Sequence, residues 1–96
     1  MGTITDTEDT EETFKLFGIS PNPTQGTARI ELQGFSGDYR LELVALTGQL
    51  LQSDNLKLTE NEYRIHTVSL ADFPTGMYYV RLTGADRVWT KALVKE

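Results

Sequence analysis

The sequence predicts an all-β fold, an antiparallel β-sandwich of about seven strands. Short runs of β-branched, aromatic and aliphatic residues fill the chain from Phe14 onward, and Gly, Asn, Asp or Pro break them every ~8–12 residues. In several runs apolar and polar residues alternate, as they do in a strand with one buried face. No stretch sustains a helical period, so little or no regular helix is expected.

The first strand falls at residues 14–19 and is stopped by Ser20-Pro21-Asn22-Pro23, where two prolines remove amide donors and turn the chain. In the second, 27–32, Ala28, Ile30 and Leu32 alternate with Arg29 and Glu31, which buries one face and wets the other. Gly34 and Gly37 mark the next turn. The third strand, 39–45, points Tyr39, Leu41, Leu43 and Ala45 inward and Arg40, Glu42 and Val44 outward. Thr47-Gly48 turns the chain into a weaker fourth strand at 50–58, and Thr59-Glu60-Asn61-Glu62 leads to a fifth at 63–69. Ile65 and Val68 cannot share a face of that fifth strand without a bulge, which leaves its register open.

Residues 70–76, with Pro74 and Gly76, interrupt the β pattern and have room for a single helical turn. The sixth strand, 77–83, points Tyr78, Val80 and Leu82 inward; Gly84-Ala85-Asp86 is a hairpin turn, and a seventh strand at 87–94 returns beside the sixth. On that last strand Val88, Thr90, Ala92 and Val94 are expected to face the core, and Trp89, Lys91, Leu93 and Lys95 the solvent. The expected core is Ala28, Ile30, Leu32, Tyr39, Leu41, Leu43, Tyr78, Val80 and Leu82.

A chain of 96 residues has room for one core. With no cysteine, that core must hold without disulfides or a thiolate metal site. Residues 1–13 read as a flexible acidic linker and 14–96 as the folded domain, with Met1-Gly2 an appended start. Asp6, Glu8, Asp9, Glu11 and Glu12 precede residue 14 with no base among them, so of the 14 acids nine remain to balance nine bases in the body. The net charge of -5 therefore belongs to the linker, and nothing basic enough to hold nucleic acid is left. No apolar run approaches the ~20 residues of a membrane span, and no leader of basic and apolar segments opens the chain, so membrane insertion is not expected and a signal upstream would direct export.

Donors for catalysis are sparse. His66 is the sole histidine, has no neighbour at ligand spacing and reads as a structural or surface residue. No Gly-x-Ser-x-Gly elbow, calcium loop or phosphate cradle is present, and no pair of carboxylates sits in apolar surroundings. No catalytic residue, metal ligand or cofactor is assigned. Trp89, Tyr78 and Tyr79 could stack a sugar if their rings were coplanar and exposed; the plainer reading has Tyr78 in the core and Trp89 covering an edge.

Four motifs in order say more than any one residue: Ser20-Pro21-Asn22-Pro23-Thr24-x-Gly26, then Leu46-Thr47-Gly48-Gln49, then Leu70-x-x-Phe73-Pro74-x-Gly76-Met77-Tyr78, then Lys91-x-x-x-Lys95. Over residues 14–96 the chain resembles the type A C-terminal sorting domain of the type IX secretion system of Bacteroidetes-type bacteria. Gln49 departs from that pattern, standing where Lys is common. The resemblance implies an immunoglobulin-like address on an upstream cargo protein. The cargo would cross the periplasm and reach the outer-membrane surface or the exterior, and a surface sortase would remove the domain. The partners so implied are the translocon, the sortase and the cargo domain. The isolated domain would be a monomer or, through its open sheet edges, a strand-exchanged dimer. The alternative is a carbohydrate-binding or adhesive sandwich appended to a secreted enzyme; a small hydrolase would need a convergent polar pocket.

Recognition by the translocon is expected at the last strand, where Lys91 and Lys95 would lie outward roughly 13 Å apart, with Leu93 between them and Trp89 beyond. Gly48, Gln49, Pro21, Asn22, Pro23 and Gly26 are the further candidates, with Gly76 and Tyr78 as turn and core residues.

Overall fold

A computed structural model describes residues 15–96 of the chain. The acidic linker at 1–13 and the domain start at Phe14 lie outside the described residues. Seven strands follow in order: β1 (Leu16–Ser20), β2 (Thr27–Gln33), β3 (Gly37–Ala45), β4 (Leu50–Leu58), β5 (Tyr63–Ser69), β6 (Gly76–Thr83) and β7 (Val88–Lys95). They form two antiparallel sheets, β1-β2-β5 and β4-β3-β6-β7. Among the described residues there is no helix; residues 70–76 form a hydrogen-bonded turn, Phe73 N donating to Leu70 O at 3.0 Å.

The apolar faces of both sheets meet in one core. From β2 come Ala28, Ile30 and Leu32; from β3, Leu41 and Leu43; from β6, Tyr78, Val80 and Leu82. Period-two alternation identified these residues because each strand buries one face only. Tyr39 is half-buried against the core rather than within it. Phe35, Leu56, Leu58, Val68, Leu70 and Leu93 complete the cluster.

β5 pairs with β2 in unbroken register from Tyr63 opposite Gln33 to Ser69 opposite Thr27, so no bulge reconciles Ile65 with Val68. Val68 takes the core, and Ile65 stays 46% exposed. The register shift falls instead between β3 and β4, at Leu43/Val44. Along the β4–β5 flank, side chains join the two sheets: Gln52 Nε2 donates to Ser69 O at 3.0 Å, Arg64 Nη2 to Lys57 O at 3.2 Å, and His66 Nε2 lies 3.1 Å from Asp54 Oδ2.

The outward face of β3 is the one the alternation predicts, but at two positions it is not solvated. Glu42 and Val44 are each 5% exposed, although they lie on the outer face of the sheet. β3 sits between β4 and β6, and its neighbours' side chains cover it on that face. Glu42 receives hydrogen bonds from Arg81 Nε (2.7 Å), Arg40 Nη1 (3.3 Å) and Thr83 Oγ1 (3.3 Å). Burial pushes its carboxyl up, but these donors and the Arg81 charge outweigh that and hold it below the ordinary carboxylate range.

The largest correction concerns β7, whose faces are reversed. Leu93 is fully buried and Trp89 packs on the core, whereas Val88 is 53% exposed and Thr90 and Ala92 face solvent. Register explains the reversal: Leu93 stands opposite Tyr78, Lys91 opposite Val80 and Trp89 opposite Leu82, and residues directly opposite share a face. The core side of β7 is therefore Trp89, Lys91, Leu93 and Lys95.

Candidate recognition pole

The four motifs, far apart in sequence, meet at one end of the sandwich. β3 and β7 end there, at Ala45 and Lys95, and β6 begins there, at Gly76 opposite Lys95. The link between β1 and β2 lies along the free edge of β7. Asn22 Nδ2 donates to Ala92 O at 3.0 Å and Asn22 Oδ1 accepts from Val94 N at 3.0 Å. Thr24 then continues as a short parallel bridge to Lys95, its N donating to Val94 O and its O accepting from Glu96 N, both at 2.8 Å. The Ser20–Pro21 and Asn22–Pro23 peptide bonds are both cis. Pro21, Asn22 and Pro23 remain exposed while Thr24 is buried, its Oγ1 donating to Thr27 O at 2.5 Å and accepting from Gly26 N at 3.2 Å.

The third motif meets the first and the last. Leu70 N donates to Gly26 O at 2.6 Å, and the Tyr78 hydroxyl donates to Pro74 O. Lys95 Nζ donates to Leu70 O at 2.8 Å and to Phe73 O at 2.6 Å. Lys95 is thus half-buried and committed to the 70–76 turn, and Leu93 is in the core, so neither forms the outward stripe expected of them. Lys91 is exposed at the rim of the inner face. Trp89 lies toward the far end, edge-on to Phe35 with ring centroids 4.9 Å apart at 82°, and Arg87 sits 5.9 Å over its ring. Tyr79 faces the opposite side of the sheet from Tyr78, so Trp89, Tyr78 and Tyr79 make no common platform.

Gly48 closes the β3–β4 turn at the same end, Ala45 N donating to Gln49 O and Gly48 N to Ala45 O at 2.8 Å each. Its φ of 96° and the 148° of Gly76 lie where a Cβ is strained, which accounts for glycine at both positions. Gln49 is exposed beside Gly48.

Sequence reasoning missed Thr24 as the buried centre of this pole and Glu42 as a buried carboxylate. A Thr two residues before Gly is a side-chain turn signal for the first; nothing local to Glu42 foretells the second. Among the described residues no group of three or more His, Cys, Asp or Glu could hold a metal ion, and no helix is long and apolar enough to cross a membrane.

The fold and this pole define a class: a small β-sandwich whose distinctive residues hold a surface together, with donors and acceptors spent on backbone pairing rather than converging on a substrate. The chain belongs to the secretion system C-terminal sorting domain family, which it matches over residues 18–96, and it carries a type IX secretion sorting signal. That family is one of signals for export to the cell surface or exterior, not a family of enzymes. Among curated proteins none matches the chain.

Proposed function

We propose that this domain is the address of an upstream cargo, read in the periplasm as a folded unit by the type IX translocon and afterwards removed by a surface sortase. The observation that carries the reading is the convergence of all four motifs on one pole, in a chain whose family match runs from within β1 to the last residue. The exposed groups there, Pro21, Asn22, Pro23, Gly48, Gln49 and the nearby Lys91, are the contacts a translocon would use. Gly26, Gly76, Tyr78, Leu93 and Lys95 act by holding that surface in shape, and Trp89 by packing the opposite end.

β1 starts at Leu16 opposite Gln33, at the pole away from the motifs. A cargo joined upstream would leave the motif pole uncovered. The sortase cut belongs before Leu16, because from β1 onward the strands are paired and a protease needs an extended, unpaired segment.

The test is a periplasmic reporter carrying this domain at its C-terminus in a bacterium with a type IX system. Export that depends on the domain, with mass spectrometry placing the released reporter's new C-terminus before Leu16, is the expected result. A reporter that stays in the periplasm with the domain folded, or is released uncut, contradicts the respective half of the proposal.

A further inference from the structure

The four-stranded sheet turns one face to the core and leaves the other uncovered, and that outer face has two halves. Toward Asp38 it is ionic: Lys57 Nζ lies 4.0 Å from Asp38, and Glu42 sits between Arg40 and Arg81. Toward Gly48 it is apolar. The cross-strand row Val44–Tyr79–Ala92 is followed by Met77–Val94, flanked by Leu46, 63% exposed, and Leu50, 48% exposed. A cavity of about 310 Å³ opens here, walled by Val44, Leu46, Tyr79 and Thr90 and rimmed by Gly48 and Arg81.

Size and charge say what fits. The volume lies at the bottom of the roughly 300–1,000 Å³ range of ligand pockets, and the cavity is open, which suits one inserted side chain rather than a small molecule. The two apolar rows cover on the order of 200 Å², at ~4.8 Å between strands and ~3.3 Å per residue. A stable symmetric dimer needs about 800 Å² per partner, so the patch serves as an anchor within a larger footprint. At its rim stands the guanidinium of Arg81, its side chain 41% exposed, paired at 2.7 Å with a buried Glu42 carboxylate that Arg40 also engages from the ionic half, so Arg81 keeps positive potential facing the cavity. The complement is an apolar side chain with an acidic one beside it.

We propose that a protein of the secretion machinery docks on this face, inserting an aliphatic or aromatic side chain between Val44, Tyr79 and Thr90 and placing a carboxylate against Arg81. The proposal rests on the sorting-signal reading and extends it from the Gly48 turn onto the sheet. Thr90 stands opposite Arg81, so Thr90→Glu puts an internal carboxylate where the partner's would lie, and Leu46→Lys removes a wall of the cavity. Both residues are exposed, and Thr67→Glu on the outer face of the other sheet is the control.

In the reporter fusion, T90E and L46K should each lower the exported fraction at least about tenfold, the effect of losing one interface anchor, with unchanged melting temperature, while T67E exports normally. Should L46K melt early, T90E decides. Normal export of folded T90E overturns the docking face and leaves the sorting signal standing; normal export after deletion of the whole domain overturns the sorting signal itself. Light scattering that finds a wild-type dimer dispersed by L46K, with export unaffected, assigns the face to a second copy and likewise overturns the proposal.

Discussion

Lys95 shows how far a residue's type can stand from its role. A lysine near a chain end on an amphipathic strand reads as a solvated charge, and nothing in the local sequence reveals the two backbone carbonyls of the 70–76 turn that surround its ammonium. Lys95→Met keeps the stem and deletes both ammonium bonds, leaving Leu70 O with only the Phe73 amide and removing the ammonium donor from Phe73 O, and should destabilise the domain by about 1–3 kcal/mol in a urea melt. Glu42 has a comparable history: its alternation with Leu41 and Leu43 was legible, but its burial was not, because the cover comes from Arg81, 39 residues away. Its folded-state pKa is lowered, so its stabilisation is complete above the unfolded carboxylate range and is lost as pH falls through the folded value. Glu42→Gln should therefore melt below the wild type at pH 7, by about 1–3 kcal/mol for charge-assisted bonds, and the two should converge in acid. A gap that persists at low pH would mean that shape, not charge, is what Glu42 contributes.

β2, β3 and β6 were legible because each offers one apolar face and one polar face, so alternation leaves a single choice. β7 offers two. Val88, Thr90, Ala92 and Val94 look like a buried row, but the opposite row carries the bulk of Trp89 and Leu93, and only the pairing of Leu93 with Tyr78 and Trp89 with Leu82 decides between them. Ile65 left the register of β5 open for a similar reason, since an apolar β-branched residue on an outer face costs little and leaves no trace in sequence. Leu93→Ala should cost about 2–5 kcal/mol through the cavity it leaves, while Ala92→Ser stays within about 0.5 kcal/mol. The reverse order would restore the opposite face assignment. Asn22 covers the C-terminal half of the β7 edge. Asn22→Ala removes both bonds, and the Val94 amide should exchange with deuterium about fivefold or more faster, as expected for ~1 kcal/mol of local stability.

The sandwich as a whole brings together what the sequence holds apart. The order of the four motifs identified the family, yet their meeting at one pole depends on strand pairings that no single segment encodes: β7 against β6, and the β1–β2 link against β7. The pole therefore exists only in the folded domain, and its opposite end, where β1 begins, is where the proposed cargo would join. Leu41→Ala, in the core and remote from the pole, should lower stability by about 2–5 kcal/mol and reduce export only to the extent that it unfolds the domain. The central claim is that this domain is a sorting signal. The most direct measurement is the extracellular fraction of one reporter–domain fusion in two otherwise identical strains, one with an intact type IX translocon and one without. The account predicts reporter outside the intact cells and confined to the periplasm of the translocon-deficient ones; equal fractions in the two strains would contradict it.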